Sequence, residues 1–397
     1  MRIAMLTYSL RPRGGVVHAL EVAEALGRRG HDVTLMALGR RGERFFRDPA
    51  VPAEIVRYEP FDGPFDERIL GMLASYRDGL AGPLGQGAFD VIHTQDCLSA
   101  NAALELRDAG LISHVIRTVH HVDLFTSRSL IECQDRSILE PDALLCVSKP
   151  WIGRLAADFG VSAGLVRNGV DRVRFRPPDT AGERARDRAA AGLEGRLAVL
   201  TVGGIEPRKG SLTLLEAFAR LRERARDLDP LLVIAGGATL FDYRHEIGRF
   251  DARLAELGLA PHVRIVGNLE CDELQRLYRA ADVFAFPSTV EGFGLAALEA
   301  LASGLPVVAS ELDAFTTFLE HGRSALLVPV GDSAALAQAL ARVARDPAVR
   351  ARLRAGGLTV AESYSWDAAA AVHEHVYDEF LRVRRRAARV PEPAARG

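Results

Sequence analysis

The chain has 397 residues, enough for two domains, and its formal net charge of -2 at pH 7 gives no reason to expect a nucleic-acid partner. Its composition, 48% hydrophobic and 26% charged, is typical of globular proteins, and no stretch reaches the roughly 18 apolar residues of a membrane-spanning helix. The four cysteines form no CxxC pair, so the sequence indicates neither a zinc site nor a disulfide framework, and we expect a cytoplasmic protein.

Strand and helix patterns alternate from the first residues onward. Residues 2 to 8 predict a strand, residues 16 to 29 an amphipathic helix and residues 32 to 37 the next strand, which is the pattern of a parallel sheet. Further strands are predicted at FDVIHT, HVIRTVH and ALLCVS. We therefore expect a doubly wound α/β domain over residues 1–175.

Two features of this first half suggest a binding site. In RPRGGVVHALEVAEAL, the glycines before the helix, Gly15 among them, let backbone amides approach an anion, although a tight turn without a ligand is the alternative. The turn is neither GxGxxG nor a Walker A loop, so neither a nicotinamide cofactor nor ATP is indicated. His120 ends a predicted strand, where it either orients a ligand or serves only the structure.

The alternation restarts after the segment RNGVDRVRFRPPDT, which predicts a second doubly wound domain over residues 176–363. Its first turn, GGIEPRKGSL, joins Gly203 and Gly204 to two cations, Arg208 and Lys209, at the start of a helix. Cations beside helix N-terminal amides at the carboxyl edge of a parallel sheet suit a diphosphate, whereas a solvated loop explains only the charges.

A second motif of this domain, EGFGLAALEALASGLP, contains the carboxylates Glu291 and Glu299. The helix predicted from about Gly294 to Ser303 is apolar on every side except at Glu299. A buried carboxylate is costly unless it is paired, so we expect it to bind a ligand or a protein group. We predict no metal site, because the D-x-D at Asp227 lies at the amino edge of the sheet and no HExxH motif occurs.

The chain ends with a predicted helix over residues 364–386, expected to pack on the first domain, and a tail over residues 387–397. Basic residues in FLRVRRRAARV and GRRGERFFRD indicate either solvated faces or peripheral contact with an anionic membrane surface.

The chain resembles the retaining glycosyltransferases of family 4. The segments that carry the resemblance are GGVVHALEVAEALGRRGHDVTL, RNGVDRVRF, GGIEPRKGSL, SYSW and above all the E-x7-E of EGFGLAALE. The resemblance covers almost the whole chain, and the first half is most similar to bacterial mannosyltransferases. It implies the GT-B fold, in which two Rossmann-like domains face a cleft, with the sugar-nucleotide donor held mainly by the second domain.

The resemblance also implies roles for individual residues. It places Gly15 and Lys209 at the donor diphosphate, His120 at the sugar C6 hydroxyl, Glu291 near the transferred sugar, Glu299 at the ribose, and the amides of Phe293, Gly294 and Leu295 near sugar and phosphate. Gly203 belongs to the GGIEPRKGSL turn together with Lys209, and Gly267 is expected near the base of the nucleotide. The sequence departs from the family at Gly204, where an arginine is usual, and Arg208 is the candidate to replace that charge.

The expected function is therefore metal-independent and cofactor-free transfer of a hexose, with retention, from a nucleoside-diphosphate sugar to a hydroxyl of a small molecule, glycan or lipid. The alternatives are a nucleotide-sugar epimerase, a degenerate nucleotide-sugar-binding protein, and a phosphorylase with pyridoxal phosphate on Lys149 or Lys209, the only lysines.

Overall fold

The computed structural model describes residues 1–85, 87–236 and 244–387. The chain forms two compact units, one of residues 1–169 with 366–397 (unit 1) and one of residues 170–365 (unit 2). Of the predicted tail, residues 388–397 lie outside the described part of the chain.

Unit 1 is built on a sheet of seven parallel strands. The strands are β1 (Arg2–Thr7), β2 (Asp32–Arg40), β3 (Ala53–Tyr58), β4 (Val91–Thr94), β5 (Ile116–Val119), β6 (Ala143–Cys146) and β7 (Gly164–Leu165). The helices between them are α1 (Gly14–Arg28), α2 (Phe65–Leu84), α3 (Cys97–Asp108), α4 (Arg128–Leu139) and α5 (Lys149–Phe159).

Unit 2 repeats this plan with six parallel strands. They are β8 (Leu197–Val202), β9 (Pro230–Ala235), β10 (Val263–Gly267), β11 (Val283–Phe286), β12 (Val307–Ser310) and β13 (Ala325–Val328). The helices are α6 (Ala181–Ala190), α7 (Ser211–Arg224), α8 (Arg244–Glu256), α9 (Cys271–Ala280), α10 (Leu295–Ala302), α11 (Asp313–Thr316), α12 (Ser333–Arg345) and α13 (Pro347–Glu362).

Both sheets reverse their strand order at one point. The order is β3-β2-β1-β4-β5-β6-β7 in unit 1 and β10-β9-β8-β11-β12-β13 in unit 2, so the reversal lies between β1 and β4 and between β8 and β11. Ligands of open α/β sheets bind at the carboxyl ends of the strands beside such a reversal. The fold therefore points to the segments after β1, β4, β8 and β11. The doubly wound α/β class predicted from the alternating pattern is confirmed.

The central strands are buried on both faces because helices cover each side of the sheet. In unit 2, side chains from the sheet pack with α7, α8, α12 and α13 into one apolar core that includes Phe218, Phe250 and Leu336. In unit 1, β1 is buried from Ile3 to Thr7, as its uninterrupted apolar sequence requires. These cores hold the strand ends in fixed register.

The last helix, α14 (Trp366–Ala387), returns to unit 1 and packs on α1. Trp366 is buried at its start, and Arg28 of α1 forms an ion pair of 2.9 Å with Asp367. Among the described residues, no helix is long and apolar enough to cross a membrane.

Candidate active site

The turn after β8 is held against the loop after β11. It runs through a 3-10 turn, Pro207–Lys209, to Gly210, which has a left-handed φ of 65°. A Cβ atom at Gly210 would lie 2.0 Å from the carbonyl oxygen of Pro287, so no other residue fits this approach. The amide of Thr289 also donates to the carbonyl of Arg208 at 2.7 Å. The two segments beside the strand-order reversal thus form one surface.

On this surface two cations meet one carboxylate oxygen. Oε1 of Glu291 lies 2.6 Å from Nζ of Lys209 and 3.3 Å from Nη1 of Arg208, and it accepts a further bond of 3.0 Å from Ser288. Arg208 also pairs with Glu206 at 2.9 Å. Lys209 and Arg208, which the sequence placed side by side, therefore converge on Glu291.

The side chain of Lys209 is enclosed by unit 2. Its ammonium lies 5.0 Å from the centre of the Phe286 ring, and its carbon chain passes against Gly203. Burial lowers the pKa of Lys209, and the carboxylate of Glu291 opposes that shift by favouring the charged form. An ammonium has three donor hydrogens, so Lys209 is suited to bind an anion while Glu291 holds it in place.

Backbone hydrogen bonds join the carboxyl ends of β8, β9 and β10. The amide of Gly203 donates to the carbonyl of Ala235 at 2.7 Å, and the amide of Gly236 donates to the carbonyl of Gly267 at 2.8 Å. A Cβ atom at Gly236 would lie 2.7 Å from the amide nitrogen of Gly204. Gly203, Gly204 and Gly267 thus lie at one edge of the sheet, where the sequence predicted the donor.

The loop from Glu291 leads into α10, which begins after Gly294 without a side-chain cap at that position. The ring of Phe293 is buried and stacks on the ring of Phe318 at 4.9 Å between centres. Helices α1 and α7 also begin without a side-chain cap, so three helices near predicted donor residues present first-turn amides that suit an anion. The amides of Phe293, Gly294 and Leu295 lie at one of these helix starts.

Glu299, inside α10, has a protein partner. The hydroxyl of Tyr278 donates to Oε2 of Glu299 at 2.9 Å, and the tyrosine is 1% exposed. Burial is the main cause that raises the pKa of Tyr278 well above its usual value, and the negative charge of Glu299 raises it further. The amino-acid sequence does not mark Tyr278 as a site residue, because its position in α9 shows only the pattern of a core aromatic residue.

In unit 1, the segment after β1 meets the residue after β5. A Cβ atom at Gly15 would lie 3.1 Å from Cδ2 of His120 and 3.6 Å from the carbonyl oxygen of Gln95. Nε2 of His120 lies 3.0 Å from Oε1 of Gln95, so this nitrogen carries the proton and donates to the amide oxygen. Gln95, which directly follows β4, is a further candidate site residue that no sequence motif marks.

His120 is half-buried and lies against the buried imidazole of His18, which favours its neutral form. Burial is the main cause that lowers the pKa of His120 far below its usual value, followed by the neighbouring His18, whose ring centre lies 4.9 Å away. His18 is held by Asn168 at 2.7 Å and lies 5.4 Å from His373 of α14. A neutral imidazole at this position can orient a hydroxyl group by hydrogen bonding.

The described residues contain no group of three or more His, Cys, Asp or Glu side chains that could hold a metal ion. The predicted residues of unit 2 from Gly203 to Leu295 lie at or after the carboxyl ends of its strands, and Glu299 lies in the second turn of α10. Gly15 and His120 lie together in unit 1. Their assigned roles toward a donor stay predictions.

Comparison with known proteins links these features to a family. Residues 183–359 match the family described as "Glycosyl transferases group 1", and residues 12–174 match "Glycosyltransferase Family 4". A relative from Saccharomonospora viridis, named D-inositol 3-phosphate glycosyltransferase, is 32% identical over 400 residues that cover 92% of this chain and 91% of that protein.

Solved structures agree on the fold. Sucrose-phosphate synthase from Thermosynechococcus elongatus superposes with a TM-score of 0.80 at 23% identity, over 96% of this chain and 100% of that one. HepE from Anabaena, in complex with UDP and glucose, gives a TM-score of 0.76 at 18% identity, over 95% of this chain and 99% of that one. These likenesses confirm the GT-B fold expected from the sequence.

Proposed function

The chain belongs to the group 1 glycosyl transferases, and from this we propose that it transfers a hexose from a nucleoside-diphosphate sugar to a hydroxyl acceptor with retention of configuration. The observation that carries the proposal is the convergence of Lys209 and Arg208 on Glu291 beside the strand-order reversal of unit 2. Cations and helix amides fixed at this edge suit the charge that grows on a leaving diphosphate.

In the proposed reaction, the bond between the sugar C1 and the phosphate oxygen breaks while a bond from the acceptor oxygen to C1 forms on the same face. The leaving phosphate takes the proton of the acceptor hydroxyl. Lys209, Arg208 and the first-turn amides of α7 and α10 stabilise the diphosphate, because their charges are in place before the reaction. No protein nucleophile is required on the opposite face.

The remaining residues are proposed to position the donor. Glu299, oriented by Tyr278, accepts hydrogen bonds from the ribose hydroxyls, and Glu291 lies near the transferred sugar while it holds Lys209. In unit 1, His120 binds a sugar hydroxyl and the backbone at Gly15 approaches the diphosphate. We also propose that neither a metal nor a cofactor takes part.

The names of similar proteins supply the first compounds to test. HepE was solved with UDP-glucose as well as with UDP, which makes UDP-glucose the first donor, and the relatives' name makes D-inositol 3-phosphate the first acceptor. A thermal-shift panel of UDP, GDP and ADP sugars identifies the nucleotide, since a bound ligand raises the unfolding temperature.

The decisive experiment measures donor turnover. We expect slow hydrolysis of the matching donor without acceptor, faster transfer with acceptor, and a product whose anomeric configuration, measured by proton NMR, equals that of the donor. A chelator should leave the rate unchanged. Binding without any turnover would instead support a degenerate binding protein, and conversion of the donor into its epimer would support an epimerase.

A further inference from the structure

A second cavity of unit 2 lies at the opposite edge of the sheet from the candidate donor site. Its volume is about 670 Å³, and it is bounded by the amino ends of β8 and β11 at Leu197 and Val283, and by α12 and α13. Arg208, Lys209 and Glu291 follow the carboxyl ends of β8 and β11, so this cavity is separate from the proposed diphosphate site.

Arg350 and Arg354 line the cavity, and neither has an acidic partner among the described residues. The other charged side chains of the lining are in ion pairs, namely Arg184–Asp282, Arg196–Asp229, Arg279–Asp187 and Asp227–Arg345. The lining of the cavity therefore carries an excess of positive charge, which no acidic side chain among the described residues balances.

Arg350 and Arg354 lie one turn apart on the same face of α13, where like charges repel each other. Arg350 is held by bonds of 2.8 and 2.7 Å from Nη1 to the carbonyl oxygens of Val343 and Ala344. An anion between the two guanidinium groups would remove the repulsion and accept bidentate hydrogen bonds.

A buried hydroxyl points to the same place. Ser303 lines the cavity and is 4% exposed, yet its Oγ has no hydrogen-bond partner among the described residues. A Cβ atom at Gly304 would lie 3.2 Å from Nε of Arg354, so this guanidinium packs against the residue that directly follows Ser303. A buried hydroxyl without a partner is costly, and a ligand oxygen in the cavity would satisfy it.

We propose that this cavity binds a small phosphorylated metabolite, with its phosphate held by Arg354, Arg350 and Ser303. The donor groups of these three side chains suit a tetrahedral anion. The cavity is larger than a phosphate group, so the rest of the ligand would pack against the apolar side chains of Leu197, Val283 and Leu305. Tyr278 also lines the cavity, which places the ligand against the side chain that holds Glu299.

The test measures binding of inorganic phosphate and of phenyl phosphate by phosphorus NMR titration. Because the donor site also attracts phosphate, the titrations use both the wild type and Lys209→Ala. We expect Arg354→Ala to weaken binding about tenfold or more, and Ser303→Ala by less, in both backgrounds. Arg354 is exposed and has no acidic partner within the described ranges of the chain, so its loss should leave the fold intact. Arg352→Ala, an exposed arginine of α13 outside the lining, is the matched control.

Tighter binding of phenyl phosphate than of phosphate would support a ligand with an apolar body, and equal binding would support free phosphate as the ligand of the same anion site. The proposal is overturned if Arg354→Ala and Ser303→Ala bind both compounds as the wild type does, or if Lys209→Ala alone abolishes binding.

Discussion

The ammonium nitrogen of Lys209 lies 2.6 Å from Oε1 of Glu291, although 82 residues separate them in the chain. The pair joins the turn after β8 to the loop after β11, and Arg208 shares the same oxygen at 3.3 Å. This chain has Gly204 at the position where the resemblance implies an arginine. The guanidinium of Arg208 is the candidate to replace that charge. We infer that Glu291 keeps both cations in place before a diphosphate arrives.

Removal of the Lys209 ammonium is the first prediction. Lys209→Ala should lower kcat/KM for the intact donor by about 100-fold, because a charge that stabilises the leaving diphosphate is lost. Circular dichroism should show a folded protein, and Arg352→Ala should react like the wild type. If Lys209→Ala stays within about threefold of the wild type while Arg208→Ala is inactive, the main phosphate contact is Arg208.

The two carboxylates of the E-x7-E motif should fail in different ways. Glu299→Gln should weaken binding of the nucleoside diphosphate but not of inorganic pyrophosphate, which has no ribose. Glu291→Gln should leave both affinities equal to or above those of the wild type, since it removes a negative charge beside Lys209, and should depress turnover of the intact donor. Calorimetry on both variants measures this. Equal affinity losses for the two variants would contradict the assignment.

Tyr278→Phe tests the partner of Glu299. The variant keeps the buried ring and removes only the hydroxyl that donates to Oε2. We expect the Kd of the nucleoside diphosphate to rise about threefold to tenfold, less than in Glu299→Gln, because one orienting hydrogen bond is lost. Pyrophosphate serves again as the control ligand. An unchanged Kd would mean that Tyr278 does not orient the carboxylate for the donor.

Adjacent glycines provide a matched pair in unit 1. Gly15→Ala places a methyl group 3.1 Å from Cδ2 of His120, whereas nothing lies within 4 Å of the corresponding atom at Gly14. Gly15→Ala should displace the imidazole and lower kcat/KM about tenfold, while Gly14→Ala should match the wild type. Steady-state kinetics on the two variants decides whether this approach matters, and equal rates would show that it does not.

The buried imidazoles should make unit 1 sensitive to acid. Burial lowers the pKa of His18 to about 3 and that of His373 to about 4, from 6.5. The unfolded chain therefore binds protons below pH 6.5 that the folded chain does not, so stability falls as the pH decreases from this value toward the folded pKa values. Between pH 7.5 and 5.5, each histidine should remove about 1.4 kcal/mol from the free energy of unfolding.

Tryptophan fluorescence measures this effect in unit 1, because Trp151 and Trp366, the two tryptophans of the chain, both belong to it. His373→Gln should lose part of the pH dependence, and His375→Gln, at an exposed position of α14, is the control. The same slope in His373→Gln and in the wild type would show that His373 does not contribute.

The fold class, the family and the edge at which most candidate residues lie follow from the amino-acid sequence. Alternating apolar strands and amphipathic helices predict parallel sheets, and the carboxyl ends of parallel strands meet at one edge. The GG turn before α1, GGIEPRKGSL and the E-x7-E motif follow strands of this kind, so the sequence predicts Gly15, Lys209 and Glu291 at that edge. The apolar pattern of α10 also showed that Glu299 needs a partner.

Which side chains contact one another depends on the packing of the helices and strands. Three contacts depend on helix rotation and strand register. They are the hydrogen bond from Tyr278 of α9 to Glu299, the contact of Arg208 with Glu291, and the contact between the rings of His373 in the last helix and His18. Local periodicity predicts the buried face of an element but not its distant neighbour, because many arrangements bury the same face equally well. The hydrogen-bonding needs of buried polar groups select among those arrangements, and these needs are met by residues far apart in the chain.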